Sequence, residues 1–315
     1  MQMGAIPQDD VMTIQKHITI VGAGLMGHGI ALVMARAGHS VTVTDPVSES
    51  RDALPERVLA SAKALEINAN ESAALLNRIS VCKTLEDAVK QADIVFEAAP
   101  EKLELKQQIF AEIEMYASPH CILASNTSVI PISQIMQNLA SRHRALGTHW
   151  WNPPHIIPLV EIVKTQWTAP EVANEMLTLL TKANKTPVMV EKDVPGFIGN
   201  RLQHALWREA ISLVESGICS AEVVDTVVKA SFGRRLAVLG PLENADLIGT
   251  DLTLDIHENV LFDLENRQEP SPYLRQIVAD GRLGMKTGFG FRKWKEGEAE
   301  IIRNRVNNHL CQLEK

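Results

Sequence analysis

Cysteine is scarce in this 315-residue sequence: Cys82, Cys121, Cys219 and Cys311 are the only four, and no two stand at a CxxC spacing. That gives no support for a zinc site, for any other metal, or for a redox dithiol, and it makes reduced cytoplasmic thiols the expectation. No run of about 18 apolar residues occurs, so no membrane-spanning helix is expected. The formal charge of -7 comes with acids and bases interspersed. A nucleic acid or an anionic membrane would need clustered lysine and arginine, so neither is expected as a partner. Residues 1–16 contain Asp9 and Asp10 and lack the apolar stretch and cleavage site of a secretory signal, so they read as a loose N-terminal extension. Internal repeats and low-complexity tracts are absent as well.

What the chain does contain is a regular alternation. Strand-like runs at Ile18–Val21, Ser40–Thr44, Ile79–Cys82, Ile94–Ala98, Cys121–Ser125, Arg144–His149, Leu159–Val163 and Thr186–Val190 are separated by stretches with helical periodicity, among them 47–76, 85–91 and Leu103–Tyr116. This order predicts an α/β fold: a doubly wound, mainly parallel sheet with helices on both faces. The character changes near Asp193-Val-Pro-Gly196. Beyond it only helical patterns follow, at Phe197–Ser216, Val223–Ala230, Ala245–Phe262 and Leu274–Ala279. One core rarely grows beyond about 250–300 residues, so two domains are expected: 17–193 carrying the sheet, and 194–315 all-helical. Apolar positions such as Leu247, Leu252, Leu254, Ile256 and Val260 suggest that the helical domain also joins two copies into a homodimer.

The most specific local pattern is Ile18-Thr-Ile-Val-Gly22-Ala-Gly24-Leu25-Met26-Gly27, where a strand turns into a helix, followed by a second strand that closes on Asp45. Gly22 permits the tight turn, Gly24 removes the side chain where backbone must approach a pyrophosphate, and Gly27 lets the helix press on the sheet with its N-terminal amides facing the anion. Asp45 would hold the diol of the adenosine ribose and repel the extra phosphate of NADP. The expected cofactor is NAD.

A cofactor that accepts hydride needs a partner that accepts a proton. His149 stands at the carboxyl end of a predicted strand, where ligands of doubly wound sheets bind. Twelve residues on, Glu161 interrupts an otherwise apolar strand. A carboxylate at one imidazole nitrogen would fix the tautomer and leave the other nitrogen as base. Each residue also has a plain alternative: His149 as a core histidine beside tryptophans, Glu161 facing water.

Six blocks in order carry a resemblance. They are Ser125-Asn-Thr-Ser128, His149-Trp-Trp-Asn152-Pro153, Leu159-Val-Glu161, Pro195-Gly-Phe-Ile-Gly-Asn200-Arg201, Gly240-Pro-Leu-Glu243 and Lys286-Thr-Gly-Phe-Gly-Phe291. Together they resemble the 3-hydroxyacyl-CoA dehydrogenase family over residues from about 17 to 295. The resemblance implies a Rossmann sheet followed by a helical domain, with His149 as catalytic base and Glu161 behind it. It also implies that Ser128 and Asn200 hydrogen-bond the reacting oxygen, and that Glu101, Lys106 and Asn152 lie beside the cofactor. Ser128 as a helix cap, Asn200 as a polar helix position and Lys106 as a solvated charge remain the structural alternatives.

The pattern departs from CoA-directed members, which usually carry several lysines after the second strand. Here the segment 61–80 offers Lys63 and Arg78 against Glu66 and Glu71, so no positive patch emerges. The approach to Gly240-Pro241 carries Arg234 and Arg235, as in the branch acting on small free acids, such as gulonate dehydrogenase and lambda-crystallin. The stretch Asn152-Pro-Pro-His155 also resembles that branch, and further the dehydrogenase acting on a pyridine carboxylate in vitamin B6 breakdown. A compact carboxylate needs an arginine fork, for which Arg235 is the first candidate and Arg208 the second; a solvated loop pair and a capping arginine are the alternatives. The expected function is thus NAD-dependent oxidation of a small 3-hydroxy carboxylate. A short-chain CoA thioester dehydrogenase and a non-catalytic NAD-binding crystallin-like protein are the alternatives.

Overall fold

The structure is a computed structural model and describes residues 15–313; the first fourteen residues of the expected N-terminal extension lie outside the described residues. Eight strands form one sheet: β1 (His17–Val21), β2 (Ser40–Thr44), β3 (Ile79–Cys82), β4 (Ile94–Glu97), β5 (Ile122–Ser125), β6 (Ala145–Trp150), β7 (Leu159–Val163) and β8 (Thr186–Val190). Their order is β3-β2-β1-β4-β5-β6-β7-β8. Each corresponds to an apolar run read in the sequence. β4 and β5 are buried at every position, as strands covered on both faces must be. The helix Gly27–Arg36 packs Ile30, Leu32 and Met34 against one face with Ile18, Ile20, Val41 and Val43. Phe110, Ile113, Ile135 and Met136 cover the other with Val95, Leu123 and Ala145. The strand order reverses between β1 and β4, the switch point at which ligands of such sheets bind.

One pairing departs from the parallel pattern, and it matters for the site. β1 to β6 run parallel, but β7 runs antiparallel to β6, and β8 follows β7. The connection 151–158 holds Pro153, Pro154 and Pro158 and is too short for a crossover, which needs a dozen or more residues. The chain can only turn back beside the strand it has left.

Two compact units emerge: one runs to Asn200 and takes in the chain from His309, and the other spans Arg201–Asn308. The second unit is helical, with Ala221–Ala230, Pro241–Ile248, Thr250–Val260 and Pro272–Ala279. The expected helix over 245–262 is interrupted at Gly249, whose φ of 103° only glycine adopts readily.

The ring of His28, on the helix Gly27–Arg36, lies 5.9 Å from that of His155. Burial, with the nearby His28, Lys185 and Arg36 charges, pulls the His155 imidazole down to about 4. The unfolded chain binds a proton near pH 6.5 that the folded chain refuses until about 4. Stability therefore falls as pH drops through this window. Between pH 7 and 5 the wild type should lose about 2 kcal/mol more than His155→Gln in urea unfolding; parallel losses would contradict the burial of a neutral ring.

Candidate active site

The turn back from β6 to β7 sets His149 and Glu161 as direct cross-strand partners. Both are buried, and His149 Nδ1 lies 2.7 Å from Glu161 Oε2. The other carboxylate oxygen, Oε1, accepts the backbone amides of Ile198 at 2.8 Å and Gly199 at 3.0 Å. Burial alone would push the Glu161 carboxyl up. The bonds from His149, Gly199 and Ile198 outweigh it and hold the group below its ordinary range, so it is ionised at neutral pH. The imidazole is clamped between Trp151 and Phe197, with ring centroids at 5.3 and 5.6 Å. Gly199 is required here, because a Cβ would meet Trp151 Cζ2 at 2.4 Å. His149 Nε2 has no hydrogen-bond partner among the described residues. An ionised acid on one nitrogen and an open second nitrogen is the arrangement of a proton acceptor.

The residues expected to hold the reacting oxygen are neighbours. Asn200 Nδ2 donates to the Ser128 carbonyl at 2.8 Å, while the Ser128 side chain is exposed and caps no helix. Glu101 fixes this segment: its Oε1 accepts from Thr127 Oγ1 at 2.5 Å and from the amides of Ser128 and Val129 at 2.9 and 3.1 Å. These bonds and the Lys106 charge outweigh burial and lower the Glu101 carboxyl. Lys106 is not a solvated helix charge. It is 1% exposed, its Nζ donates to Glu97 Oε1 at 2.7 Å and to the Ala99 carbonyl at 3.2 Å, and it lies 3.5 Å from Glu101 Oε2. Glu97 and Ser125 complete the network, with Ser125 Oγ 2.6 Å from Glu97 Oε2. Sequence reading missed both, and also Asn126, whose Oδ1 accepts the Trp150 amide at 2.9 Å. An acid closing the apolar run of β4 was the only hint of Glu97.

The glycine turn has the form that a dinucleotide requires. Gly22 has φ 111°, and its amide donates to the Thr44 carbonyl at 2.7 Å. A Cβ on Gly27 would lie 1.8 Å from the Gly22 carbonyl oxygen, so only glycine lets the helix start so close to the strand. At Gly24 a Cβ would meet nothing, and it would instead occupy the open cradle above the turn. Leu25 is exposed and Met26 half-buried at the rim. Asp45 is held by two amides: Ala23 N donates to Oδ2 at 2.8 Å and Val47 N to Oδ1 at 2.9 Å. These residues fit NAD. Asn152 is exposed in the turn after β6. Arg208 and Arg235 belong to the second unit and are exposed there; Arg208 Nη1 lies 3.4 Å from the Arg267 carbonyl, and Arg235 follows the short 3-10 helix Phe232–Arg234. The contact of Arg208 with a main-chain carbonyl is of the kind a capping arginine makes, and the exposed Arg235 is placed as in a solvated loop pair.

Two family models match in tandem. The NAD binding domain of 3-hydroxyacyl-CoA dehydrogenase covers residues 17–194, and the C-terminal domain of the same family covers 196–294. The chain is 33% identical over 276 residues to the 5-formyl-3-hydroxy-2-methylpyridine 4-carboxylate 5-dehydrogenase of Mesorhizobium japonicum, spanning 87% of this chain and 89% of that one. It is 37% identical over 286 residues to a probable 3-hydroxybutyryl-CoA dehydrogenase of Bacillus subtilis, spanning 89% and 98%. Among solved structures, a pyridine-carboxylate 5-dehydrogenase described as an NAD+ dependent dismutase superposes with a TM-score of 0.88 at 30% identity, over 96% of this chain and 98% of that one. The (S)-3-hydroxybutyryl-CoA dehydrogenase of Ralstonia eutropha gives 0.75 at 32%, over 90% and 100%. The chain therefore belongs to the 3-hydroxyacyl-CoA dehydrogenase family and is an NAD-dependent oxidoreductase acting on a hydroxyl group.

Proposed function

We propose that the protein oxidises the secondary alcohol of a small 3-hydroxy carboxylate, with His149 as the base. The observation that carries this reading is the Glu161-braced imidazole, 2.7 Å from its acid and open at Nε2. The Gly22–Gly27 turn and Asp45 would hold NAD, which when bound would supply the acceptor for the hydride of the alcohol carbon; His149 Nε2 takes the hydroxyl proton. Glu161 holds Nδ1 protonated and stabilises the imidazolium as it forms. Ser128 Oγ and the second Asn200 N–H hold the substrate oxygen, whose charge changes during the step. Glu101, with Lys106 behind it, sets the position of the Ser128 segment, and Asn152, exposed in the turn after β6, would face the nicotinamide.

The free acid is favoured over a CoA thioester by the lysine-poor segment 61–80 and by two exposed arginines, Arg235 and Arg208, able to pair a carboxylate. The relative with the 0.88 TM-score is itself named for a carboxylate and not a thioester. Assays with short 3-hydroxy acids and with 3-hydroxybutyryl-CoA decide between the two. The expected result is higher kcat/KM on a free acid, lowered at least about tenfold by Arg235→Met, since a charge-assisted hydrogen bond contributes about 1.5–3 kcal/mol. Strong turnover of the thioester alone would assign the chain to the short-chain CoA branch.

A homodimer through the helical domain fits the surface of the second unit. Among its described residues Ile277 is the only buried apolar side chain, whereas Leu242, Leu247, Leu254 and Phe262 are more than half exposed. So many exposed apolar side chains in one unit fit an association face. Sedimentation equilibrium should give twice the mass of one chain; a single-chain mass would remove the dimer.

A further inference from the structure

Two arginines reach the rim of the glycine turn from the segment that follows β2. Arg51, on the helix Ser48–Asp52, donates from Nη1 to the main-chain carbonyl of Asp45. Arg57, on the helix Leu54–Ala64, donates from Nη1 to the Ala23 carbonyl at 2.8 Å. Ala23 and Asp45 are joined by the bond from the Ala23 amide to Asp45 Oδ2, so both guanidiniums are anchored to one small structure around a single carboxylate. Both are half-buried, and neither has an ion-paired carboxylate among the described residues. Two fixed cations, on carbonyls flanking the position of the adenosine ribose and with no closer acid than the through-space Glu49 beside Arg51, make an anion site. The negative charge of NAD is its pyrophosphate, which the helix amides after Gly24 would hold, and its adenosine ribose carries none.

We propose that Arg51 and Arg57 form a latent site for a phosphate on the ribose 2′-oxygen, and that the Asp45 carboxylate alone keeps it closed. The proposal rests on the cofactor placement above only through the glycine turn and Asp45. The carboxylate sits where the 2′-phosphate would go and repels it; the guanidiniums, held at the two ends of the Asp45–Ala23 bond, then have no ligand. Neutralising the acid removes the repulsion; an amide keeps one oxygen for one of the two bonds, from Ala23 or from Val47, and gives up the other, with both cations in place. The ligand class is an adenosine 2′-phosphate, as in NADP.

Calorimetric titration of the full chain with adenosine 2′,5′-bisphosphate and with 5′-AMP tests this without turnover. The wild type should prefer 5′-AMP. Asp45→Asn should bind the bisphosphate at least tenfold more tightly than 5′-AMP, and adding Arg51→Met or Arg57→Met should each erase about tenfold of that gain. Asp45→Ser serves as a second variant if Asp45→Asn melts early. A neutral residue at 45 that brings no preference for the bisphosphate, or a preference that survives both arginine replacements, would overturn the proposal. Its failure is distinct from failure of the substrate reading: a chain that turns over no hydroxy acid can still pass this test, and an active dehydrogenase can fail it.

Discussion

His149→Gln should lower kcat by about 10²–10⁴, the range supplied by a positioned general base, while NADH binds as tightly as to the wild type. The separation follows from geometry. The cofactor turn is made by Gly22, Gly24, Gly27 and Asp45 at the ends of β1 and β2, and none of its hydrogen bonds involves His149. Glutamine is chosen because its amide N–H can still donate to Glu161 and fill much of the space between Trp151 and Phe197, so the change removes the ring's second nitrogen more than it removes packing. Stopped-flow turnover together with fluorescence titration of NADH reads the two effects apart. Undiminished turnover would place the base elsewhere, and lost NADH affinity would mean that the residue shapes the cofactor cleft.

Replacing Glu161 should have two effects that different substitutions separate. Glu161→Ala strips the partner from His149 Nδ1 and from the amides of Ile198 and Gly199, all in a site where the carboxylate is 1% exposed. Removing one member of such a buried charged cluster costs about 3–5 kcal/mol, and the melting temperature should fall accordingly. Glu161→Gln retains an acceptor for the two amides but turns an N–H toward Nδ1, which forces Nδ1 to accept and moves the ring proton to Nε2. Activity should then fall by about 10²–10⁴ with a much smaller loss of stability, as an imidazole in the wrong tautomer cannot take the alcohol proton. The pH dependence has a definite sign. The folded carboxyl titrates below its ordinary value, so its stabilising contribution is present above that ordinary value and is lost as pH falls through the folded one. The stability gap between wild type and Glu161→Gln should therefore be largest near neutrality and close in acid. A gap that widens in acid would mean that Glu161 is protonated in the folded chain.

Much of this was legible in the amino-acid order, for physical reasons that also explain what was not. A buried parallel strand has no choice but to be apolar throughout, so Ile94-Val-Phe and Ile122-Leu-Ala announce β4 and β5. The acid in β7 stands out because such strands exclude charge. The cross-strand register of His149 and Glu161 depends on β7 running backwards, which the proline-containing connection 151–158 dictates only once strand ends are known. Helix boundaries were harder. The helical pattern over 47–76 is cut into Ser48–Asp52, Leu54–Ala64 and Ala69–Leu76, because Glu66 adopts φ 59° and Pro55 begins a new helix rather than continuing one. The helix Glu298–Leu313 went unread, its sequence being mostly polar and two of its apolar residues, Ile301 and Val306, exposed. Lys106 shows the limit most clearly: on a helix a lysine reads as solvent-facing, and only the fold brings Glu97, from a strand nine residues earlier, to within 2.7 Å of it.

The measurement that bears most directly on the base is the protonation of the two His149 ring nitrogens, read by ¹⁵N-resolved NMR of the free enzyme above neutral pH, with His149→Gln identifying the signal. The expected spectrum is that of a neutral ring protonated at Nδ1, donating to Glu161, with a bare Nε2 ready to accept. A neutral ring carrying its proton on Nε2 would contradict the account, because the nitrogen meant to receive the alcohol proton would already hold one.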